Sequence, residues 1–303
     1  MSTALRHFRD LDSPAISLDS LRHILDVART WKKHHRTRTL PPALRGFTLS
    51  MLFLRPSTRT HLSFHRAMTS LGGDVIDLRA SQSQMQRGER LKDTARVLQC
   101  YSDVIVVRGT EEELQEVMND VTIPVINGLT DKSHPCQILA DIMTFEEERG
   151  VIDNATIAWL GDYNNVTCSW VQAATAWGFR LNLSVPPVLQ SKIPPLPSSH
   201  IHIIDNPQDA VRTADAVVTD TWRSMGVSMP QAHIDALAPY QVNDALVSHM
   251  PRSALFMHCL PAHIGEEVTD HVFESQRSVV WKEAENRLHV QRAILAWCLD
   301  ALP

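Results

Sequence analysis

Residues 48–71 read Thr-Leu-Ser-Met-Leu-Phe-Leu-Arg-Pro-Ser-Thr-Arg-Thr-His-Leu-Ser-Phe-His-Arg-Ala-Met-Thr-Ser-Leu, and the pattern changes character once inside that stretch. Thr48–Leu54 is a short apolar run of strand length. Pro56 stops it, and Ser57 stands where a helix can begin. From there Phe64, Ala67, Met68 and Leu71 recur at i, i+3, i+4 and i+7, the apolar stripe of a helix. A strand runs into a helix through a turn carrying Ser57, Thr58, Arg59 and Thr60. Free N–H groups at a helix start, hydroxyls and a guanidinium together suit an anion. An ordinary helix cap uses the same residue types, and this segment alone leaves both readings open.

The same alternation recurs outward from that stretch. Val75–Leu78, Val104–Val107 and Pro124–Ile126 are further candidate strands in the first half. The second half offers Thr156–Leu160, Leu181–Val185, Ile201–Ile204, Ala216–Thr219 and Leu255–His258. Strands alternating with amphipathic helices predict an α/β fold: two doubly wound parallel-sheet domains with an active-site cleft between them. The boundaries expected are residues 1–133 for a first domain, 134–150 for a linking helix and 151–281 for a second domain. A last helix, 282–303, with Val290, Ala293, Ile294, Trp297 and Ala301 on one side, is expected to pack back on the first. Pro186–Pro197 reads as a surface excursion.

The chain has 303 residues, 44% of them hydrophobic and 21% charged, with a formal net charge of -5. That composition supports a sizeable core and argues against a general nucleic-acid or anionic-membrane surface. No apolar run reaches the ~18 residues of a membrane helix, and Met1–Asp12 has no secretory h-region. A cytoplasmic location is expected. Cys100, Cys136, Cys168, Cys259 and Cys298 are widely spaced and odd in number, which reads as free thiols. With 11 glycines and neither G-x-G-x-x-G nor a Walker A sequence, a dinucleotide or nucleotide triphosphate site is disfavoured.

Polar residues recur just past candidate strand ends. Arg108 closes Val104–Val107. Asn127–Gln137 places Ser133 or His134 at the start of a helix with Pro135 in its first turn, where a neutral imidazole could donate to a carbonyl oxygen. Asp162–Asn165 follow Thr156–Leu160, Asp220–Gly226 follow Ala216–Thr219, and His258–Ala262 follow Leu255–Met257. One such cluster is weak, but their repetition at carboxyl ends is the pattern of a ligand cleft. Cys259 beside His258 and His263 invites a thiolate nucleophile or a metal site, yet a cysteine at a strand end is more often structural and the ligands are too few. No metal is expected.

With those residues assembled, the chain resembles the aspartate/ornithine carbamoyltransferase family over nearly its whole length. Ser57-Thr58-Arg59-Thr60, Gln84, Arg108 and His134-Pro135-Cys136-Gln137 are similar to the family's carbamoyl phosphate signatures. Asp220…Ser224-Met225-Gly226, His258-Cys259-Leu260-Pro261, Asp162–Asn165 and Ala284-Glu285-Asn286-Arg287 are similar to its ornithine branch. The resemblance implies transfer of a carbamoyl group from carbamoyl phosphate to the side-chain amine of L-ornithine, giving L-citrulline and phosphate, in arginine biosynthesis or in the reverse sense. It implies binding of carbamoyl phosphate by Ser57, Thr58, Arg59, Thr60, Gln84, Arg108, His134, Gln137, Cys259, Leu260 and Arg287. Asn165, Asp220, Ser224 and Met225 are implied to bind ornithine, with Arg108, His134, Cys259 and Asp220 catalytic. It also implies no cofactor, small-molecule partners only, a homotrimer or a multiple of trimers, and closure of the second domain over the substrates.

Some positions depart from the family's pattern: Ile264 stands where arginine is usual, Tyr163 replaces a small residue, and Cys168 stands where histidine is common. Gln86 and His65 depart too, where glycine and glutamate are frequent. The rival readings are a relative with another acceptor (aspartate, an acylated ornithine or putrescine) and a non-catalytic relative. Asp220 suits a cationic amine, and Arg59, Arg108 and His134 are all retained.

Overall fold

In a computed structural model of the chain, residues 5–79, 83–223 and 229–303 are described. They divide into two compact units, Met1–Ala140 with Arg287–Pro303, and Asp141–Asn286. No helix among the described residues is long and apolar enough to cross a membrane.

The first unit opens with helix α1 (Leu18–Thr37), followed by β1 (Thr48–Phe53), α2 (Thr58–Ser70) and β2 (Asp74–Arg79). Then come α3 (Leu91–Leu98), β3 (Val104–Arg108), α4 (Glu111–Asp120), β4 (Val125–Leu129) and α5 (Pro135–Arg149). The four strands form one parallel sheet in the order β2-β1-β3-β4. β1, β3 and β4 are buried along almost their whole length, as strands covered by helices on both faces must be. β2 lies at an edge, and Asp74, Asp77 and Arg79 keep it half-exposed and resistant to pairing with another sheet. Leu52, Ile105, Val107, Leu114, Val117 and Val125 pack together between this sheet and its helices. Thr110 and Glu113 cap α4 reciprocally, side chain to backbone in both directions, an arrangement that contributes about 1 kcal/mol.

The second unit carries β5 (Thr156–Leu160), α6 (Asn165–Trp177), β6 (Arg180–Ser184), β7 (Ile201–Ile203), α7 (Pro207–Val211) and β8 (Ala216–Thr219). It continues through α8 (Gln231–Leu237), α9 (Asp244–Val247), β9 (Leu255–His258) and α10 (Asp270–Phe273) into α11 (Val280–Cys298). Its parallel sheet has the order β7-β6-β5-β8-β9. Ala158, Leu160, Val217, Phe256 and Val268 form part of its core.

All nine candidate strands are present, eight of them within one residue at each end, while β4 runs three residues past the expected Ile126 to Leu129. The last helix is displaced from its expected span: it starts at Val280 and stops at Cys298, so Ala301 is not helical. The chain turns there because Asp300 adopts a left-handed φ of 54° and the Ala301 N–H reaches back to Ala296 O at 2.7 Å. From Arg287 onward α11 belongs to the first unit: Arg292 Nε donates to Ser70 Oγ at 2.7 Å, and Trp297 meets Phe8 edge to face. The division between the units falls inside α5 and inside α11 rather than at their ends.

Both sheets reverse their strand order once, between β1 and β3 and between β5 and β8. The helices that follow the two strands at such a point leave toward opposite faces, and the loops part there to leave room for a ligand. Ser57–Thr60 and Arg108 flank the first reversal, and Asp162–Asn165 and Asp220 flank the second.

The register of β3 against β4 shifts between Val107 and Arg108, opposite Gly128. A Cβ on Gly128 would stand 2.9 Å from Val107 O and 3.0 Å from Val106 Cγ2. Gly128→Ala is expected to lower stability by about 1–3 kcal/mol in urea unfolding, because the strand pair must open to admit it. An unchanged midpoint would show that this close approach is not needed.

Candidate active site

The first unit assembles its cluster from both ends of the chain. Ser57 occupies the N-cap of α2 with extended backbone (φ -160°), yet its hydroxyl does not cap the helix. The plain capping reading of Ser57 is therefore not what the structure contains. Its Oγ and the N–H groups of the first turn remain for another acceptor or anion. Thr60 is buried on the first turn of the same helix, and its Oγ1 accepts from Arg287 Nη2 at 2.6 Å. Arg287 Nη1 donates to Gln137 Oε1 at 2.6 Å and lies 3.5 Å from His134 Nε2. One guanidinium from α11 thus fixes residues at the starts of α2 and α5.

His134 is the residue before α5, and its carbonyl accepts the Gln137 N–H. The preceding turn is held by Asn127 Nδ2 donating to Ser133 Oγ, which in turn donates to Asp10 Oδ1 at 2.6 Å. The imidazole is buried, and its pKa lies well below the ordinary histidine range. Burial is the largest cause, followed by the positive charges of Arg287, Arg108 and Arg59. His134 is therefore a neutral imidazole, able to donate one N–H to a carbonyl oxygen. Sequence reasoning expected this neutrality from the helix start; desolvation and three guanidiniums produce it.

Arg108 ends β3, and Nη1 donates to Leu129 O at 3.2 Å. Its Nε is buried and has no hydrogen-bond partner among the described residues. Burial and the nearby Arg55 charge lower its pKa, which means that the cation is held at a cost an anion would relieve. Gln84 is not drawn into this group: it opens a 3-10 turn after the edge strand β2 and is exposed.

The second unit holds a separate acidic group. Asp220 follows β8, and its Oδ1 accepts from the Thr221 N–H at 2.7 Å and from the Cys259 thiol at 3.2 Å. Its Oδ2 accepts from Asn164 Nδ2 at 2.9 Å. Burial first, then the charge of Asp220, pushes the Cys259 thiol far above the usual range, so Cys259 is a protonated donor and not a thiolate nucleophile. Leu260 adopts a left-handed φ of 60°, and its N–H donates to His258 Nδ1 at 2.9 Å. Asn165 is the first residue of α6. Ser224 and Met225 lie outside the described residues.

Several residues of this group escaped sequence reasoning. Asn164 caps α6 and positions Asp220 with the same side chain; its place just before the helix was the available signal. Glu283 Oε2 accepts from the His258 N–H at 3.0 Å, and burial together with the charge of Asp141 raises its pKa. Nothing in the local sequence marks that pairing. Tyr163 and Cys168, two of the departures from the family's pattern, are neighbours: burial and then Cys168 raise the Tyr163 phenol. A larger side chain at one position accompanies a smaller one at the other.

Asp220, His258 and Cys259 bring one possible ligand atom each within 4.8 Å of one another, as do His263, Glu266 and Glu267. Their donor chemistry is already committed. His258 Nδ1 accepts from Leu260, its Nε2 lies 3.2 Å from Glu267 Oε1, and the thiol keeps its proton. In the other group Glu267 Oε1 accepts the His263 N–H at 2.6 Å, and Glu266 pairs with Arg223. Neither group presents a ready ligand set for a metal.

Comparison with known proteins gives these groups a family. The chain matches the model "Aspartate/ornithine carbamoyltransferase, carbamoyl-P binding domain" over residues 6–147 and "Aspartate/ornithine carbamoyltransferase, Asp/Orn binding domain" over residues 153–298. It belongs to the aspartate/ornithine carbamoyltransferase family. An ornithine carbamoyltransferase of Bradyrhizobium diazoefficiens is 47% identical over the full length of both chains, and one of Rhodopseudomonas palustris is 49% identical over the same share. Among solved structures, ornithine carbamoyltransferase of Burkholderia thailandensis superposes with a TM-score of 0.89 at 38% identity, covering 99% of this chain and 100% of that one. The Pyrococcus furiosus enzyme gives 0.89 at 40%, covering 97% and 98%.

A buried imidazole elsewhere in the first unit shows what holding a histidine neutral does to stability. Arg292 Nη1 lies 3.1 Å from His289 Nδ1, and burial, followed by Arg292 and Lys32, lowers the His289 pKa from 6.5 to about 3. Between those values the unfolded chain binds a proton that the folded chain refuses, so stability falls as the pH drops from 6.5 towards 3. By about pH 5 this one group removes about 2 kcal/mol. Urea unfolding across that range is expected to show a shallower acid-side loss for His289→Gln; an identical slope would place the proton uptake elsewhere.

Proposed function

We propose that the chain transfers the carbamoyl group of carbamoyl phosphate to the side-chain amine of L-ornithine, releasing L-citrulline and phosphate. The observation that carries this reading is the neutral, buried His134 beside Arg108, Arg59 and Arg287. A phosphate dianion attached to a polarisable carbonyl is the substrate class that matches those groups. The phosphate takes the free N–H groups and hydroxyls at the start of α2 together with Arg59. Thr60 already accepts from Arg287, so its own proton is left to point outward as a donor. His134 and Arg108 donate to the carbonyl oxygen and stabilise the oxyanion of the tetrahedral transition state. Gln137, fixed by Arg287, completes the same surface.

Asp220 receives the acceptor's cationic side chain, and Cys259, held protonated beside it, contributes its sulfur and a fixed dipole. Asn165 belongs with the acceptor's amino-acid end, as do Ser224 and Met225. The amine has an ordinary pKa near ~10.4 and must release a proton to solvent before it attacks. Its nitrogen then bonds to the carbamoyl carbon. The C–O bond to phosphate breaks, and the second amine proton leaves with the phosphate. Activation comes with the substrate's own anhydride-like bond, so positioning and charge stabilisation suffice and no cofactor enters the reaction. The reading extends to a cytoplasmic homotrimer, supported by membership of the family. Light scattering is expected to return a mass near three times the 34.1 kDa of one chain.

Formation of the carbamoylated product, citrulline in the case of ornithine, is measured with ornithine, aspartate, N-acetylornithine and putrescine in parallel. Selective turnover of ornithine is expected; selective turnover of another amine would overturn the acceptor assignment. Arg108→Ala is expected to lower kcat by about 100-fold or more in a chain that stays folded, the scale of losing an oxyanion donor. Asp220→Asn is expected to raise KM for ornithine while leaving carbamoyl phosphate binding in place. Full activity in either variant would remove that residue from its role.

A further inference from the structure

A cavity of about 420 Å³ lies in the second unit at the amino end of β9. Its lining includes Arg149 from the end of α5, Arg252 just before β9 and Arg277 after α10. Among the described residues none of these three arginines forms an ion pair, although the chain carries more acidic than basic side chains. One carboxylate, Asp244, also lines the cavity, and its Oδ1 is engaged by His271 Nδ1 at 2.5 Å. The wall therefore carries three guanidiniums against one committed carboxylate, in a protein whose net charge is -5.

Arg277 is held in place beforehand. Its Nη1 donates to Pro251 O at 2.6 Å and reaches Ala254 O at 3.5 Å, which leaves the other side of its fork free to donate. A guanidinium whose orientation is already fixed loses less entropy when it binds an oxyanion bidentately. Val247 and Val272 supply an apolar portion of the wall. The volume is larger than an inorganic phosphate needs and falls within the range of small-molecule sites.

We propose that this cavity is a second anion site, which takes the phosphate group of a small phosphorylated molecule on Arg149, Arg252 and Arg277. It shares no residue with the carbamoyl phosphate group, all of which apart from Cys259 and Leu260 belongs to the first unit. Cys259 and Leu260 follow the carboxyl end of β9, whereas the cavity lies at the amino end of that four-residue strand, about 13 Å away along it. An occupant of the cavity leaves the acceptor groups unobstructed.

Equilibrium dialysis of the full chain against radiolabelled inorganic phosphate in the millimolar range tests this. Wild type is expected to hold two phosphates per chain. The double variant Arg149→Ala/Arg252→Ala removes two exposed side chains outside the catalytic groups. It is expected to hold one phosphate and to keep its transferase activity. Arg59→Ala is expected to lose the other phosphate and keep the one in the cavity. Arg149→Lys/Arg252→Lys retains the charge and is expected to restore at least part of the binding. A single phosphate per wild-type chain, lost in Arg59→Ala, would overturn the proposal. So would a second phosphate that persists undiminished in the double alanine variant.

Discussion

Much of the first unit's chemistry depends on one buried guanidinium. Arg287 reaches Thr60, 227 positions earlier in the chain, and Gln137, 150 positions earlier, through hydrogen bonds of 2.6 Å. Charge-assisted bonds of this length are strong, and each also sets a direction. Thr60 is fixed as an acceptor on one side, so it can donate on the other. Gln137 is held at its carbonyl end. The same positive charge helps to keep His134 neutral. Without that fork the starts of α2 and α5 would each keep their local structure, but their polar groups would have no common reference.

Burial makes the gathering of like charges around His134 costly. Arg59, Arg108 and Arg287 all act on His134, and Arg55 acts on Arg108. Such a cluster is unfavourable in the absence of an anion, because desolvated cations repel one another and lose their hydration. A dianionic ligand reverses the sign of both effects at once. The second unit uses the opposite arrangement. Asp220 collects the donors Asn164, Thr221 and Cys259 around a single carboxylate, a setting that attracts a cation. Two units of the same architecture therefore carry sites of opposite charge.

The fold was largely legible because parallel strands buried on both faces become apolar runs, and apolar runs are easily read. Thr156–Leu160, Ala216–Thr219 and Leu255–His258 were located to the residue. Legibility failed where a local pattern met a tertiary constraint. The stripe of the last helix extends to Ala301 in the sequence, but the chain turns at Asp300. Gln84 stands exposed in the 3-10 turn after β2, a placement that its residue type does not reveal. The motif names residues, and whether they converge on one another depends on packing.

The sequence by itself determined the residue types at the ends of β1, β3, β8 and β9, the alternation that makes the sheets parallel, and the absence of glycine-rich nucleotide motifs. Each of these is a local property, encoded in a short stretch of neighbouring residues. The tertiary structure alone decided protonation and pairing: His134 as a neutral donor, Cys259 as a thiol, Asn164 as the partner of Asp220, and Glu283 as the partner of the His258 N–H. Those properties depend on desolvation and on charges brought in from distant segments, and neither is written in the spacing of neighbouring residues.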